Sequence, residues 1–138
     1  MRAAVTGGAG FIGSNLVDAL VARGDNVVVI DDLSFGKREF VNPAAELVVC
    51  DIRDGVDLQG AEVVFHLAAQ TDVQTSVRDP ARDADVNVVG TVKVLEAARL
   101  GDLRRSALDV SAAASWLGFR ARTPLAEGIA LTWAWATG

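Results

Sequence analysis

Hydrophobic and polar positions along the chain change period at regular intervals. Residues 3–6 are apolar without alternation, the pattern of a short strand covered on both faces. A glycine-rich stretch follows. Phe11, Ile12, Leu16, Val17, Leu20 and Val21 then recur at helical spacing, which predicts one apolar stripe turned toward a sheet. Gly24 predicts the end of that helix, and Asp25-Asn26 a turn. Residues 27–30 read as a second buried strand ending at Asp31-Asp32, and residues 33–43 as a polar loop. Residues 47–49 form a third strand closed by Cys50-Asp51. Residues 54–60 give a turn or single helical turn, and residues 63–67 a fourth strand.

Residues 68–79 predict a loop with one turn around 73–77. Pro80 can open a helix at its first position. From there to about residue 100, Ala84, Val88, Val92 and Leu95 mark one face, joined by Val86, Val89 and Val94. Gly90 lies inside this helix at roughly 1 kcal/mol relative to Ala. It either packs closely on the sheet or is a tolerated surface glycine. Strands alternating with helices over short connections predict an α/β domain with a parallel sheet. Composition changes near Gly101. Residues 106–108 suggest a short strand, and Ser111 a helix N-cap for residues 112–117, ended by Gly118. A last helix starts at 123–125, with Leu125, Ile129, Leu131, Trp133 and Trp135 as its apolar members. The expected organisation is a domain over 1–99 and a short helical C-terminal tail over 100–138.

Composition narrows the function classes. A chain of 138 residues, 51% hydrophobic, has enough apolar surface for one core. A net charge of −5 and a pI of about 4.7 argue against a nucleic-acid or membrane-surface role. Arg99, Arg104, Arg105, Arg120 and Arg122 gather in the tail, either to bind a pyrophosphate or, more simply, as a solvated face. The single cysteine, Cys50, excludes an internal disulfide and provides no metal cluster. The apolar stretch before Gly7 is too short for a signal peptide, and no window reaches the length of a membrane span. A cytoplasmic protein is expected.

The glycine stretch carries the chemistry. Gly8, Gly10 and Gly13 fit G-x-G-x-x-G, and Gly7, Gly10 and Gly13 fit G-x-x-G-x-x-G. A side chain in this turn would keep a pyrophosphate from the backbone, and the helix beyond it offers free N–H groups and a positive dipole end. The loop follows a strand, opens a helix, and precedes a second strand that ends in Asp31, 18 residues after Gly13. That context is the Rossmann-type dinucleotide fingerprint, and it predicts the strand order 3-2-1-4. An acidic residue at 31 accepts the adenosine ribose hydroxyls and repels a 2′-phosphate, favouring NAD over NADP. Asp51 either takes the adenine amino group or is a plain strand-end carboxylate. His66, the one histidine, reads as a packed core residue rather than a general base, and Cys50 as a small buried hydrophobe.

T-G-G-A-G-F-I-G-S-N-L-V at 6–17, V-I-D-D-L-S-F-G-K-R-E at 29–39, C-D-I-R-D at 50–54, H-L-A-A-Q at 66–70 and V-N-V-V-G-T-V-K-V-L-E-A-A-R at 86–99 resemble the extended short-chain dehydrogenase/reductases. The nearest branch is the UDP-glucose 4-epimerases and related NAD-dependent sugar epimerases and dehydratases. The resemblance implies that Gly7, Gly10, Phe11, Ile12, Gly13, Asp31, Asp51, Ile52, Leu67, Ala68, Ala69 and Gln70 line an NAD site. It also implies that Asp32, Ser34, Gly36 and Lys37 flank the adenosine ribose, and that Asn87 sits behind the cofactor in an N-x-x-G-T helix signature. The tail resembles the far C-terminus of the same family, where Arg99 and Asp102 match contacts to a UDP-sugar. On this likeness the sequence reads as an internally deleted member, joined near residues 98–101.

The chemistry of that family uses a Tyr-x-x-x-Lys pair. This chain has no tyrosine, and its two lysines, Lys37 and Lys93, lie in the adenosine loop and the last helix of the first domain. No catalytic residue is therefore assigned. The expected function is a module holding NAD, or its ADP-ribose portion, without turnover. The alternatives are an epimerase or dehydratase completed by residues of a partner chain, and a folded relic or interaction protein. An unpaired fourth strand would leave an apolar edge. A homodimer or an added tail strand at 104–109 is expected to cover it.

Overall fold

The computed structural model describes residues 1–100, 122–124 and 127. The chain divides into two compact units, Met1–Arg105 and Ser106–Gly138. The strand and helices expected within 102–138, Asp102, Arg104, Arg105 and Arg120 lie outside the described residues.

Four short apolar runs become four parallel strands: β1 (Arg2–Thr6), β2 (Asn26–Asp31), β3 (Glu46–Val49) and β4 (Val63–His66). They form one sheet in the order β3-β2-β1-β4. Ala4 pairs with Val28 on one side and Val64 on the other, and Val29 pairs with Leu47. β1 and β2 run through the middle and are buried except at their first residues. On β3 the edge position leaves Val48 and Val49 exposed.

The period of two divides the core between the sheet faces. Ala3, Val5, Val27 and Val29 pack with Val17 and Leu20 of helix α1 (Phe11–Ala22). Ala4, Val28 and Ile30 pack on the other face with Ile52, Leu58, Val94 and Ala98. The last two belong to helix α4 (Thr91–Leu100). Helices on both faces explain why the central strands read as unbroken apolar runs.

Several sequence expectations are corrected. Phe11 and Ile12 do not continue the buried stripe of α1. They are 85% and 68% exposed, because the first turn of the helix projects past the strand ends. Of the turn or single helical turn expected at 54–60, a turn forms at residues 59–60, while the helical turn after β3 is a 3-10 turn at Ile52–Asp54, where Asp51 caps it by accepting from the Arg53 N–H. The helix expected from Pro80 to about residue 100 is not uniform. It consists of α3 (Pro80–Ala84), a π-helical turn (Asp85–Gly90) and α4. Gly90 packs closely, but against Ile52 rather than the sheet: a Cβ there would lie 2.5 Å from Ile52 Cδ1. Before α3, the turn foreseen around 73–77 is helix α2 (Val73–Arg78).

Candidate functional site

A cleft of about 400 Å3 opens where the strands end, the place where open parallel sheets bind ligands. Its size suits a small molecule or cofactor. The glycine loop forms its floor. Gly7 has φ +71°, and a Cβ there would meet the Leu67 and Ala68 backbone at 2.6 Å. A Cβ on Gly13 would lie 2.1 Å from the Gly7 carbonyl oxygen, so this glycine lets α1 start tight against the loop. Gly10 differs from both. Its φ of −80° and ψ of 176° suit any residue, and a Cβ would meet only the Gly7 oxygen, at 3.4 Å. Nothing in the packing asks for glycine there. What its missing side chain keeps open is the cleft, which Gly10 lines.

Gly10 is also the N-cap of α1 and supplies no capping side chain. The first N–H groups of a helix have no intrahelical acceptor. Here Phe11, Ile12 and Gly13, all at the cleft, begin the helix. Free donors and the positive dipole end face a space bounded by glycine, which is the chemistry of a phosphate cradle.

Asp31, 7% exposed, ends β2 at the side of this floor. Its Oδ2 accepts from the Ala9 N–H at 2.9 Å and its Oδ1 from the Leu33 N–H at 2.9 Å. The first bond fastens the glycine loop. The second holds Leu33 in the left-handed region, φ +59°. A carboxylate offers about four lone-pair sites, so one remains on each oxygen for hydroxyls in the cleft. Asp32 accepts from both the N–H and Oγ–H of Ser34. The loop then returns over Ala9, where Gly36 approaches so closely that a Cβ would touch Ala9 at 2.8 Å. Asp32, Ser34 and Gly36 all line the cleft. Lys37 does not line it. Its N–H donates to the Ala9 carbonyl, and its ammonium lies 5.6 Å from the centre of the Phe40 ring.

Asp51 and Ile52 line the opposite end. The Asp51 carboxylate is neither idle nor a plain strand end. It accepts from the Arg53 N–H, Nε and Nη2, the last at 2.6 Å. Those bonds hold its carboxyl below the usual carboxylate range. Cys50, also lining the cleft, is only partly buried. Desolvation, with Asp54 and Asp51 nearby, pushes its thiol above the ordinary value.

The loop after β4 supplies Leu67, Ala68, Ala69 and Gln70. Thr6 Oγ donates to His66 Nδ1 at 2.6 Å and accepts from the Leu67 and Ala68 N–H groups. His66 Nε2 meets Thr91 Oγ at 3.0 Å, and Thr91 Oγ donates to the Asn87 carbonyl. With the Thr91 proton so used, its oxygen accepts, and the histidine carries its proton on Nε2. Burial lowers the His66 pKa, in accord with a neutral ring satisfied at both nitrogens. His66 is thus a structural hub under the loop, as its strand position suggested. Asn87 lies outside the cleft lining and clamps the same loop: its Oδ1 accepts from the Gln70 N–H and its Nδ2 donates to the Gln70 carbonyl. The Gln70 amide is bound to Asp72 and Asp83.

Sequence reasoning missed Ile30, Phe35, Cys50, Arg53, Thr71, Arg82 and Val86 in the lining. Arg53 follows two residues after a named carboxylate and was within reach of inspection. Arg82 and Val86 arrive from a helix that only folding brings across the strand ends. Arg99 is exposed near the end of α4.

The family model described as "NAD dependent epimerase/dehydratase family" matches residues 3–127. Among curated proteins the chain is 53% identical over 116 residues to the UDP-glucose 4-epimerase of Mycolicibacterium smegmatis, covering 76% of this chain and 37% of that protein. It is 35% identical over 133 residues to the UDP-glucose 4-epimerase of Lactobacillus helveticus, covering 92% of this chain and 40% of that one. Among solved structures it resembles a Thermotoga maritima UDP-glucose 4-epimerase with UDP-glucose, at TM-score 0.71 and 45% identity over 75% of this chain and 35% of the other. It also resembles the Thermus thermophilus UDP-glucose 4-epimerase complex with NAD, at TM-score 0.65 and 40% identity, with the same coverage. The chain spans about a third of the length of the first curated relatives it matches.

Proposed function

The chain belongs to the NAD dependent epimerase/dehydratase family, and from that premise we propose that its cleft binds NAD as the cofactor-gripping half of a UDP-sugar 4-epimerase site. The observation that carries this reading is Gly10, a residue that packing leaves free to be anything and that nonetheless holds the cleft open. The donor set fits the dinucleotide. The uncapped start of α1 takes the pyrophosphate, and the two open acceptor sites on Asp31 take the adenosine ribose, with Asp32, Ser34 and Gly36 beside it. A 2′-phosphate would meet the Asp31 charge, so NADP is disfavoured. Leu67, Ala68 and Ala69 wall the side of the cleft beyond the glycine loop.

Bound NAD supplies a reversible hydride acceptor. The 138 residues include no tyrosine, so the Tyr-x-x-x-Lys pair of the family's chemistry is not among the residues that grip it. By themselves they bind the cofactor without converting a sugar nucleotide. Arg99 and Asp102 are the candidates for a UDP-sugar contact. Val88, Val92 and Leu95 form an exposed stripe at helical spacing along the π-turn and α4. We assign it to a homodimer, to be checked by sedimentation across a hundredfold range of concentration.

Calorimetric titration with NAD, ADP-ribose and NADP tests the central reading. NAD and ADP-ribose are expected to bind and NADP at least tenfold more weakly. Equal binding of NADP, or no binding of any of the three, rejects it. Incubation with NAD and UDP-galactose is expected to yield no UDP-glucose.

A further inference from the structure

Asp51 and Arg53 do not act alone at their end of the cleft. The Arg53 guanidinium donates Nε and Nη2 to Asp51 and Nη1 to Asp85, at 2.9 Å for the last. Asp85 is the first residue of the π-turn, and Gly90 is its last. In an α-helix two residues five apart stand about 140° out of phase at 100° per residue. A π-turn bonds i to i+5 and brings them onto one face. Here that face meets the 3-10 turn Ile52–Asp54 at two neighbouring residues. Asp85 holds Arg53, and Gly90 receives the Ile52 side chain. The widened turn therefore locks the segment that carries Asp51 to the helix across the strand ends.

We propose that Arg53 and Asp85 are positioning residues that set how the cleft reads the adenine ring of its dinucleotide. The inference rests on the NAD reading above. Three Arg53 N–H groups meet the Asp51 carboxylate: the backbone N–H at Oδ1, Nη2 at Oδ2, and Nε shared between the two oxygens at 3.0 and 3.1 Å. Three protons thus serve about four lone-pair sites, and capacity for one more donor remains. A carboxylate fixed by a fork presents that capacity in one direction. The adenine amino group is the donor it selects, and a hypoxanthine ring presents a carbonyl oxygen there instead. Freed from Arg53, the carboxylate rotates and is solvated, and the selection fades.

The test compares NAD with its hypoxanthine analogue by calorimetry. The unmodified chain is expected to prefer NAD by about tenfold, the scale of one hydrogen bond to a charged group. Arg53→Gln is expected to reduce that preference to about twofold, and Asp85→Asn to an intermediate value, with far-ultraviolet circular dichroism unchanged. Removing a positive charge weakens both anionic ligands alike, so the ratio isolates the positioning effect. A parallel loss for both ligands, or a preference that survives in Arg53→Gln, overturns the proposal. Arg53→Lys keeps the charge without the fork and is expected to behave like Arg53→Gln in the ratio. No binding of NAD by the unmodified chain rejects the cofactor reading, and the role of Arg53 and Asp85 with it.

Discussion

At the scale of single residues, the three loop glycines that look equivalent in sequence do different work. Gly13→Ala would drive a Cβ into the Gly7 carbonyl. It is expected to cost about 3 kcal/mol in urea unfolding, at the upper end for overpacking. Gly10→Ala is expected to change stability by less than about 0.5 kcal/mol and to weaken NAD at least tenfold, measured by the same titrations. A loss of stability equal to that of Gly13→Ala would remove Gly10 as a ligand-facing position. His66 predicts a pH effect. Its folded pKa lies below the ordinary 6.5, so below that value the unfolded chain binds the extra proton first. Stability is therefore complete above about pH 6.5 and falls as the pH drops toward the folded pKa. Unfolding at pH 7.5 and 5.5 checks this, and His66→Gln is expected to flatten that step. The loop glycines and Asp31 were readable from residue types and spacing, whereas Asp51 was left between an adenine contact and a plain strand end and was placed at the cofactor only by resemblance. The Arg53 fork on Asp51 was not readable, because a side-chain rotamer has no sequence period.

Among elements, the π-turn departs most from what periodicity implies. Its residues fit an ordinary helix by apolar spacing, and the extra residue per turn is recovered only through contacts with the segment after β3. Gly90→Ala would place a Cβ 2.5 Å from Ile52 Cδ1 and is expected to destabilise by about 2 kcal/mol. Ile52→Ala removes that Cδ1 together with the Cγ1 that the same Cβ would meet at 2.7 Å. In that background Gly90→Ala is expected to cost at most half as much, a coupling visible in a double-mutant cycle. Strict additivity would mean that the two elements do not meet there in solution. The first turn of α1 offers the same lesson. Phe11 and Ile12 fall on an apolar stripe by counting, yet they pass beyond the sheet and border the cleft.

For the whole molecule, a ligand bound only by the folded state adds stability by mass action. At a free NAD concentration one hundred times its Kd the gain is about 2.7 kcal/mol. A thermal melt is expected to rise accordingly, and less with NADP at the same concentration. A melt unmoved by NAD would place the cleft outside the cofactor's reach. The molecule is organised so that this linkage is direct. β1 and β2 lie in the centre of the sheet, and both end in cleft residues or their immediate supports: Thr6 beneath the loop after β4, and Asp31 beside the glycine floor.

The sequence by itself determined the four strands, their parallel order, the glycine turn and the acid that closes the second strand. Each is a local pattern: a period, a turn residue, or a charge at a strand end. Tertiary structure alone decided which of those residues face the cleft and which support it. Asn87 and Lys37 lie outside the lining, Arg53 and Arg82 are part of it, and the Arg53 guanidinium that holds Asp51 acquired a second partner in Asp85, more than thirty residues away. These outcomes depend on how helices seat against strand ends, a contact between segments far apart in the chain, and no periodicity within either segment encodes it. The glycine turn itself unites the two levels. Its spacing announces a phosphate site, and only the packing around Gly7, Gly10 and Gly13 separates the glycines that build the turn from the one that keeps it open.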